Sequence, residues 1–340
     1  MYEEKPVIKN SDVFTDVFIP DQLNHRDGQI KSIRDDLKPI IKKQPGRHVF
    51  VYGPPGTGKT CTSIYITREL KREGVPNVYV NCWETQSRFK VLYTILEKLG
   101  SKLSIHTKGT ATHELLDMLK QKLKENQVVV MLDEVDQLED EKILYDLVTI
   151  ANLTVILIAN TETVLSDADP RIRSRLASAD NVEFPKYKSE DIKEILKDRA
   201  HSGLVAGVVK QSQLETIADA SSGDSRIAIS VLRIASEEAD KSDTGKISDD
   251  HINNALPTAK QQKKEKTIDS LNDHQKILYR VIRNGEIQPG DLYIKYKQEC
   301  DRKSLEPIKD RTVRKYLEKM VQYNLILAKG ETKWRVYTIA

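Results

Sequence analysis

Gly53, Gly58, Lys59 and Thr60 stand at the spacing G-x-x-x-x-G-K-T within Gly53-Pro54-Pro55-Gly56-Thr57-Gly58-Lys59-Thr60, directly after the apolar run His48-Val49-Phe50-Val51-Tyr52. A segment of this kind binds phosphate. Glycines let successive backbone N–H groups turn toward an anion with no Cβ in the way, Lys59 supplies a point charge, and the Thr60 hydroxyl reaches a magnesium ion. The apolar positions Ile64, Ile66 and Leu70 mark the helix that must follow, and its N-terminal dipole adds to the attraction. The expected nucleotide contacts are Gly53, Gly56, Thr57, Gly58, Lys59, Thr60 and Cys61, for ATP or ADP with Mg2+.

A second cluster supplies hydrolysis chemistry. The apolar run Val128-Val129-Val130-Met131-Leu132 ends in Asp133-Glu134, which reads as a buried strand with two acids at its tip. Asp133 is placed to hold magnesium with Thr60, and Glu134 to orient and deprotonate an attacking water. Taken alone, the pair is also compatible with a solvated acidic turn. The run Thr154 to Ala159 ends in Asn160, an amide that either lies beside the γ-phosphate or forms a strand-end turn. Two arginines sit where local physics disfavours them. Arg199 shares the apolar face of Ile192, Ile195 and Leu196 at helical spacing, where it either snorkels or meets phosphate. Arg226 follows Gly223-Asp224 in the first turn of a helix, where the macrodipole disfavours a cation.

These side chains need a scaffold that converges them. Strand-like runs at Val49 to Tyr52, Val78 to Asn81, Val128 to Leu132, Thr154 to Ala159 and Val182 to Phe184 alternate with helical patterns. This alternation predicts an α/β fold, a parallel sheet covered on both faces with ligands at the carboxyl ends of its strands. Residues 1–186 form that nucleotide-binding domain. The crossover after Asn81 carries two helical patterns, Gln86 to Leu99 and Thr112 to Glu125, so an extra helical insertion spans about 82–111. Residues 187–257 read as a helical lid that Pro257 stops, and 258–268 as an aperiodic linker. Residues 269–340 open on an Asn272/Gln275 cap and read as three helices and a β-hairpin, a winged-helix pattern.

The chain of 340 residues has a net charge of +3, yet residues 267–340 alone carry 15 Lys+Arg against 10 Asp+Glu. A polyanionic partner is therefore expected at the C-terminal end. Three cysteines without metal spacing point to a reducing intracellular compartment and to no zinc site. No apolar run reaches the length of a membrane span, so no membrane partner is expected.

Several segments together resemble one family. They are Phe18-Ile19-Pro20-Asp21-Gln22-Leu23-Asn24-His25-Arg26, the loop at Gly53 to Thr60, Asn81-Cys82, Asp133-Glu134-Val135-Asp136, Phe184-Pro185-Lys186-Tyr187, Gly223-Asp224-Ser225-Arg226 and the C-terminal winged helix. The chain resembles the archaeal origin-recognition initiators, AAA+ homologues of the large subunit of the origin recognition complex and of its cell-division-cycle helicase loader. The resemblance implies an AAA+ P-loop parallel sheet with a helical lid and a C-terminal winged-helix domain. It gives Asn160 the sensor 1 role and Arg226 the sensor 2 role, and brings Tyr187 and Arg199 to the nucleotide. Phe18 to Arg26 would cover the adenine. Arg175 would be the finger offered to a neighbouring subunit's ATP, with Arg171 and Arg173 as competitors. The implied activity is a weak ATPase that acts as a switch, in a cytoplasmic, nucleoid-associated protein that binds double-stranded origin DNA, recruits the replicative helicase and meets other initiator subunits. Two alternatives share these parts: an AAA+ motor of the Holliday-junction branch-migration type, and an ATP-gated winged-helix transcription regulator.

The DNA contacts follow from periodicity. In the last helix Val313, Tyr316, Leu317, Met320 and Val321 form the apolar stripe, so Arg311, Thr312, Lys315 and Lys319 are expected on the outward face that enters a major groove, with Arg314 on the flank. Lys329, Lys333 and Arg335 would serve the wing. By the resemblance, Lys102 and Lys108 in the insertion also contact DNA.

Overall fold

A computed structural model describes residues 6–101, 111–330 and 335–340. The chain divides into two compact units, Met1–Leu256 and Pro257–Ala340. After a short 3-10 turn at Asp12–Phe14, the first unit runs through α1 (Asp27–Ile41), β1 (Val49–Tyr52), α2 (Lys59–Arg72) and β2 (Asn77–Asn81). It continues through α3 (Arg88–Lys98), α4 (Thr112–Lys122), β3 (Val128–Asp133), α5 (Lys142–Val148), β4 (Leu153–Ala159), α6 (Thr163–Ser166), α7 (Pro170–Leu176) and β5 (Asp180–Glu183).

The five strands pair in parallel in the order β2-β3-β4-β1-β5. Every residue of β3 and β4 is buried, as continuous apolar runs require in a sheet covered on both faces. Leu92, Ile95, Leu115, Leu132 and Leu157 pack on one face, and Ile33, Leu37, Ile66, Met131 and Ile158 on the other. The register sets Tyr52 opposite Ala159 and Asn81 opposite Asp133. Gly53, Asn160 and Asp133 therefore emerge together at the carboxyl edge of the sheet, the ligand side of this architecture.

Among the described residues, two helices, α3 and α4, lie in the β2–β3 crossover, as its length predicts. Lys102 and Lys108 lie outside the described residues. The lid consists of α8 (Ser189–Gly203), α9 (Gln211–Ala220), α10 (Ser225–Lys241) and the start of α11 (Asp249–Ser270). The N-terminal segment, grouped by sequence with the α/β domain, docks on this lid. Val7, Val13 and Phe14 are buried, and the Lys9 and Asn10 N–H groups donate to the Gly203 carbonyl at 2.9 and 3.1 Å.

One expected element differs. The stretch read as an aperiodic linker is helical, because α11 runs unbroken through Pro257 to Ser270. Proline removes one backbone donor from a helix, but Ala259, Lys260, Gln261, Gln262, Lys263, Lys264 and Glu265 are strong helix formers. Gln261 Nε2 also donates to Glu265 Oε1 one turn on at 2.8 Å. A helix solvated on most sides needs no apolar period, so periodicity alone does not detect it.

In the second unit, α12 (Asp273–Arg283), α13 (Pro289–Arg302) and α14 (Asp310–Gln322) precede the antiparallel pair β6 (Ile326–Lys329) and β7 (Val336–Ile339). Asn272 caps α12 as expected: its Oδ1 accepts the Gln275 N–H at 2.9 Å, and Gln275 Oε1 accepts the Asn272 N–H at 3.1 Å. An isolated bridge from Ile287 to Tyr337 extends the hairpin, and Ile277, Ile282, Leu292, Tyr296, Val313, Leu317 and Met320 are buried. This is the winged-helix arrangement. No helix among the described residues is long and apolar enough to cross a membrane.

Candidate nucleotide site and nucleic-acid face

Helix α2 starts abruptly because Gly58 sits in the left-handed region with φ +88°, a conformation that costs most other residues free energy. The first helical bond runs from the Thr62 N–H to the Gly58 carbonyl at 2.8 Å. The N–H groups of Lys59, Thr60 and Cys61 therefore have no helical acceptor, and they supply the donors and dipole end that an anion needs. Gly56, at φ +77°, is pressed by the lid: a Cβ there would lie 1.9 Å from Asp224 Oδ1, and one at Gly58 would lie 2.6 Å from the Tyr187 hydroxyl. The loop fits a phosphate cradle that tolerates no side chains at these points. The Thr57 hydroxyl donates to the Pro54 carbonyl at 2.8 Å, so it braces the loop from within.

Lys59 is buried. Its Nζ donates to the carbonyls of Gly53 at 2.6 Å and Pro54 at 2.9 Å and to Asn160 Oδ1 at 3.2 Å. Burial pulls its ammonium down to about 8, with the Glu134 carboxylate opposing that shift. Asn160 turns its amide nitrogen to Glu134 Oε2 in a short hydrogen bond, so one side chain joins the loop lysine to the strand-tip acid. Burial first, then the nearby Asp136 and Asp133 carboxylates, push Glu134 up to about 8. Glu134 itself holds a left-handed backbone, φ 56° and ψ 48°, which turns the chain sharply at the strand end. Strain of this kind in a non-glycine residue concentrates at functional sites.

Asp133 is buried and its Oδ2 accepts the Thr60 hydroxyl at 2.7 Å. Burial raises its carboxyl, while the hydrogen bonds from Thr60 and Tyr79 oppose the rise. The hydroxyl and carboxylate expected to share a magnesium ion thus meet directly, an oxygen pair of the type that ion prefers.

The lid reaches the loop through the N-terminus of α10. Asp224 caps that helix by accepting the Arg226 N–H at 3.0 Å. The Ser225 N–H and hydroxyl both donate to the Gly56 carbonyl, at 3.1 and 2.8 Å. Arg226 is half-exposed, with Nε 3.9 Å from Asp224 Oδ1, and its charge bears on both Lys59 and Glu134. Arg199 is on the apolar face of α8, as its spacing predicts. Its Nη1 donates to the Val13 carbonyl at 2.8 Å and its guanidinium lies 4.4 Å from the Phe18 ring centre. It ties the N-terminal segment down beside α2, where its charge bears on Cys61; burial pushes that thiol up to about 11.

Among the three candidate finger residues, Arg171 is itself exposed and pairs locally, with Nε and Nη2 both 3.1 Å from the Asp169 carboxylate two residues before it. Arg173 and Arg175 are exposed on α7. Arg26 is legible in the sequence only as part of a segment, yet it is central. Its Nε donates to the Thr57 carbonyl at 3.0 Å and its Nη2 to the Pro185 carbonyl at 2.8 Å, and its guanidinium lies 3.9 Å from the Tyr187 ring centre. Like Arg226, it stands at a helix N-terminus where a cation is disfavoured, and that anomaly is a usable signal.

On α14 of the second unit, Arg311, Arg314 and Lys315 are exposed, Thr312 is half-buried, and Val313, Tyr316, Leu317 and Met320 face inward. Lys319 corrects the sequence reading. It is only 7% exposed, because a residue three after Tyr316 borders the apolar stripe and its methylene stem is covered there. Arg314 Nε donates to the Tyr293 hydroxyl at 3.3 Å. Lys329 pairs with Glu286 at 2.9 Å, Arg335 is half-buried, and Lys333 lies outside the described residues. Basic charge is not confined to this face: Lys264, Lys276, Arg280 and Arg283 line a groove along α11 and α12.

Comparison with known proteins places these parts. Residues 42–164 match the AAA domain family and residues 193–256 the Cdc6 AAA+ ATPase-type lid domain. The chain is 41% identical to ORC1-type DNA replication protein 9 of Halobacterium salinarum, across 98% of this chain and 94% of that protein. It is 38% identical to ORC1-type DNA replication protein 1 of the same organism, across 87% of this chain and 97% of that one. In fold it matches the structure of the Aeropyrum pernix ORC1 protein in complex with DNA, with a TM-score of 0.80 at 22% identity, covering 100% of this chain and 94% of that chain.

Proposed function

This chain belongs to the ORC1-type DNA replication proteins, and on that premise we propose that it is an ATP-regulated initiator: it binds double-stranded origin DNA and helps recruit the replicative helicase. The observation that carries the regulated part is the double hydrogen bond from Ser225 to the Gly56 carbonyl. The first turn of α10 is bonded to the backbone of the phosphate loop, so any change in that backbone when phosphate binds is passed to the lid. Loop occupancy and lid position are thereby coupled.

The residues divide the chemistry among themselves. The N–H groups of the loop and of the first turn of α2 receive the β- and γ-phosphates, and Lys59 transfers its donors from the Gly53 and Pro54 carbonyls to phosphate oxygens. Thr60 and Asp133 would hold Mg2+, which neutralises charge on the phosphates. Glu134 takes a proton from the attacking water while the bond from the γ-phosphorus to the bridging oxygen breaks, and ADP leaves with that oxygen. Asn160 orients the Glu134 carboxylate, and Arg226 brings a cation from the lid. Arg175, exposed on α7, would act on a neighbouring initiator subunit's nucleotide, with Arg171 and Arg173 as its competitors. Slow turnover of this kind would end one state rather than drive work. The expected location is cytoplasmic and nucleoid-associated.

Arg311, Thr312, Arg314 and Lys315 contribute the DNA face of α14, and the hairpin with Lys329 and Arg335 contributes the wing. Nuclease footprinting across genomic DNA at moderate salt tests this reading. Discrete protected sites are expected. Uniform protection that disappears with competitor DNA would contradict it and favour a winged helix that binds protein.

A further inference from the structure

We infer that Tyr79 is a positioning residue for Asp133, the donor from β2 that fixes the carboxylate where the nucleotide-bound metal needs it. The inference rests on the nucleotide-site reading above and extends it to a residue with no assigned part in it.

Asp133 is 4% exposed, and a buried carboxylate is stable in one orientation only when donors hold it. Among the described residues, three hydrogen bonds do so. Oδ1 accepts the Glu134 N–H at 3.0 Å, while Oδ2 accepts the Thr60 hydroxyl at 2.7 Å and the Tyr79 hydroxyl at 3.0 Å. The first comes from the residue next in the chain and moves with it. The second comes from a hydroxyl whose lone pairs are expected to turn to Mg2+. Tyr79 reaches Asp133 from β2, outside both the loop and the acid pair.

Its own setting is rigid. Tyr79 is paired across the ladder with Met131, two residues before the match of Asn81 with Asp133, and its ring packs against the core that includes Met131 and Ile66. The Tyr79 carbonyl accepts Lys98 Nζ at 2.8 Å, and that ammonium lies 6.0 Å from the ring centre. Backbone, ring and hydroxyl are thus held from three sides. The hydroxyl bonds to the same carboxylate oxygen that Thr60 uses, so its part is to aim that oxygen rather than to touch phosphate.

The test is equilibrium binding of a fluorescent ATP analogue to full-length Tyr79→Phe, with excess Mg2+ and with EDTA. Phenylalanine keeps the ring and its packing. Affinity in Mg2+ is expected to fall about ten-fold, the size of one hydrogen bond to a charged group, while affinity in EDTA stays at the wild-type value. In an Asp133→Ala background the same substitution is expected to add nothing, because Tyr79 acts through that carboxylate. An equal drop in Mg2+ and EDTA would show a merely structural role and overturn the inference, as would wild-type affinity in both. An additive effect on Asp133→Ala would overturn it too. The wild-type protein distinguishes failure of the site reading from failure of the Tyr79 role: if its own ATP affinity is the same with and without Mg2+, the site reading falls and the inference with it.

Discussion

Glu134→Gln should bind ATP as the wild type does and hydrolyse it about 10²- to 10⁴-fold more slowly, the range that one general base contributes. The substitution keeps size and hydrogen-bonding capacity. It removes only the ability to accept a proton from water. Asn160, which now donates to Glu134 Oε2, finds an amide oxygen in its place, so the link back to Lys59 survives. Lys59 loses the carboxylate that opposes its downward shift, but bound phosphate supplies a stronger counter-charge. ATP affinity is therefore expected to hold. Single-turnover hydrolysis beside equilibrium nucleotide binding measures both quantities. Normal turnover in this variant would move the base elsewhere, with Asp136 the first carboxylate to test because its charge bears on Glu134.

Arg311→Ala with Lys315→Ala should weaken duplex binding about 10- to 100-fold at low salt. The dependence of affinity on salt should also become shallower, by about one in the log–log slope for each phosphate no longer neutralised. Both side chains are exposed on α14, so the melting temperature should stay near the wild-type value. Lys319→Ala is the instructive contrast. Its stem is covered, so that change should lower the melting temperature and leave the salt slope nearly unchanged. Titration by fluorescence anisotropy at several salt concentrations distinguishes these outcomes. A double variant that binds DNA with wild-type affinity and slope would remove α14 from the interface.

The parts of the site that are legible in the sequence are those where local pattern and chemistry coincide. The loop at Gly53 to Thr60 follows a strand and opens a helix. Asp133 ends a run whose six residues are all buried, and continuous burial is what an uninterrupted apolar run signals. Asn160 follows from the same logic at the tip of β4. The winged helix is legible because α12 and α14 carry strong apolar stripes and because Asn272 and Gln275 form a local cap.

What stays hidden depends on partners distant in sequence. Tyr79 meets Asp133 only because β2 pairs with β3, and Arg26 meets Tyr187 only because the tertiary fold brings the start of α1 beside the stretch that leads from β5 into α8. Neither partner can be inferred from spacing along the chain. Spacing does set Arg199 on the apolar face of α8, but its Val13 carbonyl partner lies 186 residues away in the chain and is supplied by the tertiary fold. Helix α11 is hidden by its own solvation, since a helix with little to bury shows no period. Lys319 lies at the border of a stripe, where a helical wheel separates inside from outside by a few tens of degrees and the length of the side chain decides the rest.

The central claim is that the nucleotide held at Gly53 to Thr60 sets the state in which the protein binds DNA. The most direct measurement is DNA affinity at a footprinted site for the protein loaded with ATP, loaded with ADP, and free of nucleotide, with Glu134→Gln included to hold the ATP state. Affinity is expected to differ between the ATP and ADP forms by roughly 5- to 150-fold, the usual range for coupled sites, and Glu134→Gln is expected to stay at the ATP value over time. The same affinity in all three states would contradict the claim.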